Sequence, residues 1–158
     1  MSLQQFITER LKITSKTKHL KRTEHTLFPK DKEELLSMIR NELKQQGNDA
    51  DMNHIDTSKI TDMSYLLNYR DIRNIKIDEW DTSNVTTMEE MFTGSDDFDC
   101  DLSTWDVSNV TNMSLMFYKC KSFKSDLSKW NVSKVEDWEE IFTGSLMESN
   151  PQLQPKFS

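Results

Sequence analysis

Thirteen residues, WDTSNVTTMEEMF at 80–92, return at 105–117 as WDVSNVTNMSLMF and at 130–142 as WNVSKVEDWEEIF. Trp80, Trp105 and Trp130 are spaced by 25 residues, and Ile55 holds the same place one period earlier. Ser58, Ser83, Ser108 and Ser133 keep the same interval, as do Ile60, Val85, Val110 and Val135. A fixed period of 20–50 residues marks a chain built from stacked units. One unit cannot bury its apolar face alone, so its neighbours must supply the core. Such arrays serve more often as binding surfaces than as catalysts.

Within the third unit the apolar residues are Leu102, Trp105, Val107, Val110, Met113, Met116, Phe117 and Phe123. Leu102-x-x-Trp105-x-Val107 has the phase of a short strand with alternate residues inward. The 3–4 spacing of Val110, Met113, Met116 and Phe117 predicts a turn or two of helix, and Thr86 with Glu89 has the spacing of a helix-capping box. The expected fold is therefore an α/β solenoid, a short leucine-rich-repeat-like array of about four 25-residue coils over 51–147. Ahead of it, 29–50 reads as a capping helix. Pro29 suits its first turn, Leu35, Leu36, Met38, Ile39 and Leu43 form its stripe, and Lys44 and Gly47 end it. Residues 148–158 are expected to fold over the far end as a cap or tail, with Leu153 and Phe157 as anchors.

Residues 1–28 form a basic head. Leu3, Phe6, Ile7 and Leu11 lie on one face of a short helix, and a polar, lysine-rich stretch follows. This predicts an amphipathic docking helix on a tether, the helix-in-groove mode of recognition. The charge is divided accordingly. Residues 1–48 carry ten Lys/Arg against six Asp/Glu, or +4, and residues 49–158 carry ten against twenty-one, or −11, giving the net −7. Such an acidic body is a poor match for phosphate backbones, so no nucleic acid is expected. No apolar run is long enough for a membrane span, and the start lacks a signal-peptide core, which predicts a cytoplasmic location by default.

Asp56, Asp81, Asp106 and Asn131 sit in the middle of the expected strands, where they would form a polar ladder about 4.7–4.9 Å apart and a docking stripe for cationic groups. A stripe four strands deep covers on the order of 170 Å², far below the roughly 800 Å² per partner of a standard interface, so flanking segments must contribute. Asp96, Asp97, Asp99 and Asp101 alternate like the start of a calcium loop, but Leu102 stands where that loop needs Gly. Cys100 and Cys120 fall at different phases of the repeat and give neither a cysteine ladder nor a zinc set. No nucleophile, phosphate or metal motif occurs, and a serine that recurs in every unit reads as a structural ladder. No enzyme, cofactor or metal is expected.

The repeat text, DLSTWDVSNVTNMSLMFYKCKSF above all, resembles the BspA-like leucine-rich repeat family over roughly residues 51–145. That resemblance implies a surface or adhesin-type binding protein. The head, FITERLKI followed by KTKH, is similar to the starts of many large tailed-phage proteins and implies a structural or packaged phage component addressed by its N-terminus. The residues themselves predict a non-enzymatic protein-interaction module. Its partner and oligomeric state are left open.

Overall fold

A computed structural model describes residues 24–157. Its one α-helix among these residues, α1, spans Lys32–Gln46. Asp31 starts it, with its carboxylate accepting the Glu34 N–H at 2.9 Å, and Glu33 and Glu34 favour the positive end of the helix dipole. At the other end Gly47 adopts φ +75°, and its N–H returns to the Leu43 carbonyl. Leu35 and Ile39 are wholly buried in the core. Lys32 reaches from the first turn to Asp62, at 3.0 Å, and to Ser64. These contacts set α1 against the first coil.

The expected α/β solenoid is not what the chain forms. Over 51–145 there is no helix and no strand, only isolated parallel bridges. The bridges Asp62↔Thr87, Thr87↔Asn112 and Asn112↔Asp137 also fall outside the Trp-x-Val segments where strands were expected. Thr86 and Glu89 make no capping box: the Thr86 hydroxyl donates to the Thr61 carbonyl, and the Glu89 N–H goes to the Thr87 hydroxyl. The reason lies in the backbone. Tyr65, Glu90, Leu115 and Glu140 all have φ between +50° and +61°. Four residues on, Tyr69, Gly94, Lys119 and Gly144 again have positive φ. A residue in that region at every fourth position ends any α-helix and instead suits the third place of a turn. Met91→Met88, Met116→Met113 and Ile141→Trp138 hydrogen bonds close such turns.

What the chain makes is a stack of turning coils locked at 25-residue intervals. The N–H groups of Met63, Tyr65, Leu67 and Tyr69 donate to the carbonyls of Thr87, Glu89, Met91 and Thr93. Coil two repeats this toward coil three, and coil three toward coil four. Side chains complete the ladder. The indole N–H of Trp80 donates to the Met52 carbonyl, that of Trp105 to Ile77 and that of Trp130 to Leu102, each at 2.9–3.1 Å and 28 residues back. Buried Ser95 and Cys120 do the same to Leu67 and Phe92. Buried backbone carbonyls outside regular structure would otherwise remain unpaired, at a cost of about 1–3 kcal/mol each.

The interior is a double column of rings. Phe92, Phe117 and Phe142 stack at 5.6 and 5.8 Å, with Phe98 and Phe123 5.5 Å apart beside them. Within a coil, Phe92–Phe98 and Phe117–Phe123 close to 4.2 Å. Each such pair contributes about 0.5–1.5 kcal/mol beyond simple burial. At the far end Leu127 donates to the Leu153 carbonyl, and Phe157 stacks on Trp138 at 5.2 Å.

Candidate functional site

The polar ladder turns out to consist of turn caps. Asp56, Asp81, Asp106 and Asn131 each accept the N–H of the serine two residues on, at 3.0–3.2 Å. This is the local side-chain-to-backbone bond that Asp and Asn make best, which is why either type serves at this station. Serine bonds hold the Asp56 and Asp106 carboxyls below the usual aspartate range. Asp56 also faces His25 at 3.8 Å. The structure thus places the four at one station of successive coils, half-buried in the first two and exposed in the last two. Leu3, Phe6, Ile7 and Leu11, and with them the phage-like head, lie outside the described residues.

The acidic cluster at 96–101 is occupied by its neighbours. Asp96 pairs with Lys121 at 2.5 Å, Asp97 with Arg73 at 2.8 Å and Asp99 with Lys124. Asp101 accepts the Ser103 N–H and the Ser125 hydroxyl. Most of these bonds join residues 24 or 25 apart, so they set register between coils. As exposed pairs, each ion pair contributes about 0–1 kcal/mol. Among the described residues no three His, Cys, Asp or Glu side chains gather where they could hold a metal ion. Cys100 and Cys120 are free and buried, and burial pushes their thiols up to about 11 and about 12, which leaves little reactive thiolate.

A concavity lies on a different face. The turn segment of the coils opens a recess of about 400 Å³ lined by Glu89, Ser114, Leu115, Asp137, Glu139 and Glu140. Leu115 supplies its apolar patch, because its φ of +56° turns its side chain off the inward pattern that Met113 and Met116 follow. Carboxylates stand on either side, from coil two and from coil four. Glu89 is positioned by the Tyr65 hydroxyl, which donates to it at 2.7 Å, and that bond raises the phenol to about 12. Glu90, Glu139 and Glu140 have no ion pair among the described residues. The arrangement can accept a cation with an aliphatic stem.

Sequence reasoning placed 110–117 on an inward helix and so passed over this face. The signal was present: Glu-Glu recurs at 89–90 and 139–140, one station of alternate coils, with Ser-Leu between.

One serine lies within reach of a lysine, with Lys32 Nζ 2.5 Å from Ser64 Oγ. The Ser64 hydroxyl and N–H both go to Asp62, and the Lys32 ammonium holds that same carboxylate. The turn recurs at Asn112 and Ser114 with no lysine at all, so the contact is a bracket for α1.

The chain belongs to the family described as "Mycoplasma protein of unknown function, DUF285", whose model matches residues 34–154. This is a repeat family related to the BspA-like one. No curated protein and no solved structure matches the chain. Among the described residues no helix is long and apolar enough to cross a membrane.

Proposed function

We propose that this protein is a non-enzymatic interaction module whose turn face takes a lysine- or arginine-bearing segment of another protein. The observation that carries the reading is the recess itself, with Leu115 for the aliphatic stem and Glu89, Glu139 and Glu140 for the charge. Lysine and arginine bury their stems along apolar surface while keeping their heads among polar groups. The charge division of the chain supports the same reading, since the body carries −11 and offers a cationic partner long-range attraction. The repeat text, with its likeness to BspA-like proteins, points to the same class of use.

Titration of a blocked arginine-rich hexapeptide into the full chain tests this reading by calorimetry. The combined Glu89→Gln, Glu139→Gln and Glu140→Gln variant should bind at least tenfold more weakly, and the wild-type affinity should fall as salt rises. Asp81→Asn with Asp106→Asn should leave affinity unchanged. Equal affinity of the triple variant and the wild type would sink the proposal.

A further inference from the structure

Along the turn segment of each coil alternate N–H groups donate to the coil ahead, whereas among the described residues coil four is followed only by the short turns and tail of 146–157. In coil three the N–H groups of Met113, Leu115, Phe117 and Lys119 donate to Asp137, Glu139, Ile141 and Thr143. The equivalent groups in coil four are those of Trp138, Glu140, Phe142 and Gly144. Gly144 is satisfied internally, by the Glu148 carboxylate at 2.9 Å. Trp138, Glu140 and Phe142 have no acceptor among the described residues. Three alternate donors of coil four therefore lack the partner that their equivalents in coils one to three have.

The side chains at this row differ from those inside the stack. Met63, Met88 and Met113 are fully buried at the station where Trp138 is 37% exposed. Phe157 stacks on the Trp138 indole and extends the apolar surface. Around it Glu136, Glu139 and Glu140 are exposed and make no ion pair among the described residues. Edges in natural proteins are commonly blunted with charged side chains or proline. Here the charges are all negative, which bars another acidic edge but admits a cationic segment.

We propose that the coil-four edge is a docking site for an extended segment of a partner protein that adds as one more rung. Its alternate carbonyls would accept the N–H groups of Trp138, Glu140 and Phe142. An apolar side chain would rest on Trp138 and Phe157, and flanking lysines or arginines would meet Glu136, Glu139 and Glu140. Addition of a strand to an open edge draws affinity from main-chain bonds and specificity from alternate side chains. The chain already uses the device at its other end, where the Leu27 carbonyl accepts the Asp56 N–H and Leu27 bridges Ile55. A second copy stacked head to tail is a poor occupant. α1 lies against coil one, held there by buried Leu35 and Ile39 and by the Lys32 contacts to Asp62 and Ser64. The site shares Glu139 and Glu140 with the recess but stands on the backbone donors, so protection of the three amides and binding in the recess can fail separately.

The test is amide exchange of the full chain, followed by NMR, with a blocked Lys-Val-Lys-Val-Thr-Val-Lys peptide as probe. A peptide of equal charge with glycine in place of valine is the control. In the free protein the three amides should exchange rapidly. Saturating valine peptide should slow all three at least tenfold, and the glycine peptide should not. Absence of protection, equal protection by both peptides, or shifts confined to Ser114 and Leu115 would overturn the proposal. So would amides already protected in the free chain and released by deleting residues 1–23, because the chain would then cover its own edge.

Discussion

The two ends of the stack are closed in different ways. Coil one is met by α1, a capped helix that buries Leu35 and Ile39 and reaches two hydrogen-bonded positions through Lys32. Coil four is met by short turns over 146–153 and a tail that covers Trp138 only in part. The difference shows in the backbone as well. Tyr65, Glu90 and Leu115 carry positive φ and each donates its N–H to the next coil at 2.9–3.0 Å. Glu140 carries the same φ with no such bond. A left-handed residue other than glycine costs roughly 1–2 kcal/mol, and a backbone bond returns about 0.5–1.5 kcal/mol. Inside the stack the two nearly cancel, whereas at coil four the cost stands alone. Stacked units gain most from having neighbours on both sides, and among the described residues coil four has a full coil on one side only.

The sharpest way to break this comparison is to remove a ring from an inner coil and from the outer one. Trp105→Ala should cost roughly 3–5 kcal/mol in urea unfolding, because the indole stacks on Trp80 and satisfies the Ile77 carbonyl. Trp138→Ala should cost about 1 kcal/mol, as befits a half-exposed side chain. Equal losses would mean that the far end is as well closed as the middle.

A smaller effect is expected where a glycine touches its neighbouring coil. A Cβ on Gly94 would lie 2.5 Å from the Tyr69 ring, whereas on Gly144 it would lie 3.3 Å from the Lys119 side chain. Both have positive φ, near +70°. Gly94→Ala should cost about 1–3 kcal/mol and Gly144→Ala about 1 kcal/mol. Adding Tyr69→Ala to Gly94→Ala should recover part of the loss in thermal melts. If it recovers none, the ring is not what resists the methyl group.

Acid should weaken the stack through its turn caps. Asp56, Asp101 and Asp106 have pKa values below the unfolded aspartate value of about 3.9, held there by bonds from Ser58, Ser103 and Ser108. A group depressed in the folded state stabilises above its unfolded pKa, and that stability is lost as pH falls through the folded value. Melting temperature should therefore hold from about pH 7 to pH 5 and decline below about pH 4. A midpoint that rises on acidification would contradict this account.

The smallest effect belongs to the ladder. Asp81→Asn together with Asp106→Asn should change stability by less than about 0.5 kcal/mol, since Asn131 already makes the same turn bond at 3.2 Å. Unfolding of that variant would show that charge, not acceptor geometry, is needed there.

Much of this was open to reading from the residues. The 25-residue interval located the coils, and the Trp and Phe stations gave the core, because only neighbouring units can bury rings that recur so regularly. The secondary structure was not open in the same way. Val110, Met113, Met116 and Phe117 have helical spacing and are all buried, yet they lie on a turning backbone. Apolar spacing records which side chains point inward. It does not record the dihedral angles that bring them there, and a succession of tight turns can satisfy the same spacing as a helix.

The sequence by itself determined the repeat, its register, the inward rings and the division between a basic head and an acidic body. Each of these follows from residue identity at fixed intervals. Only the tertiary structure decided that Tyr65, Glu90, Leu115 and Glu140 take the left-handed region, since none of the four prefers it alone. The bonds to the coil ahead hold the first three there. From that one backbone choice come the outward Leu115, the carboxylate recess and the unpaired donors at coil four, because each depends on where a coil's neighbours are and where they stop.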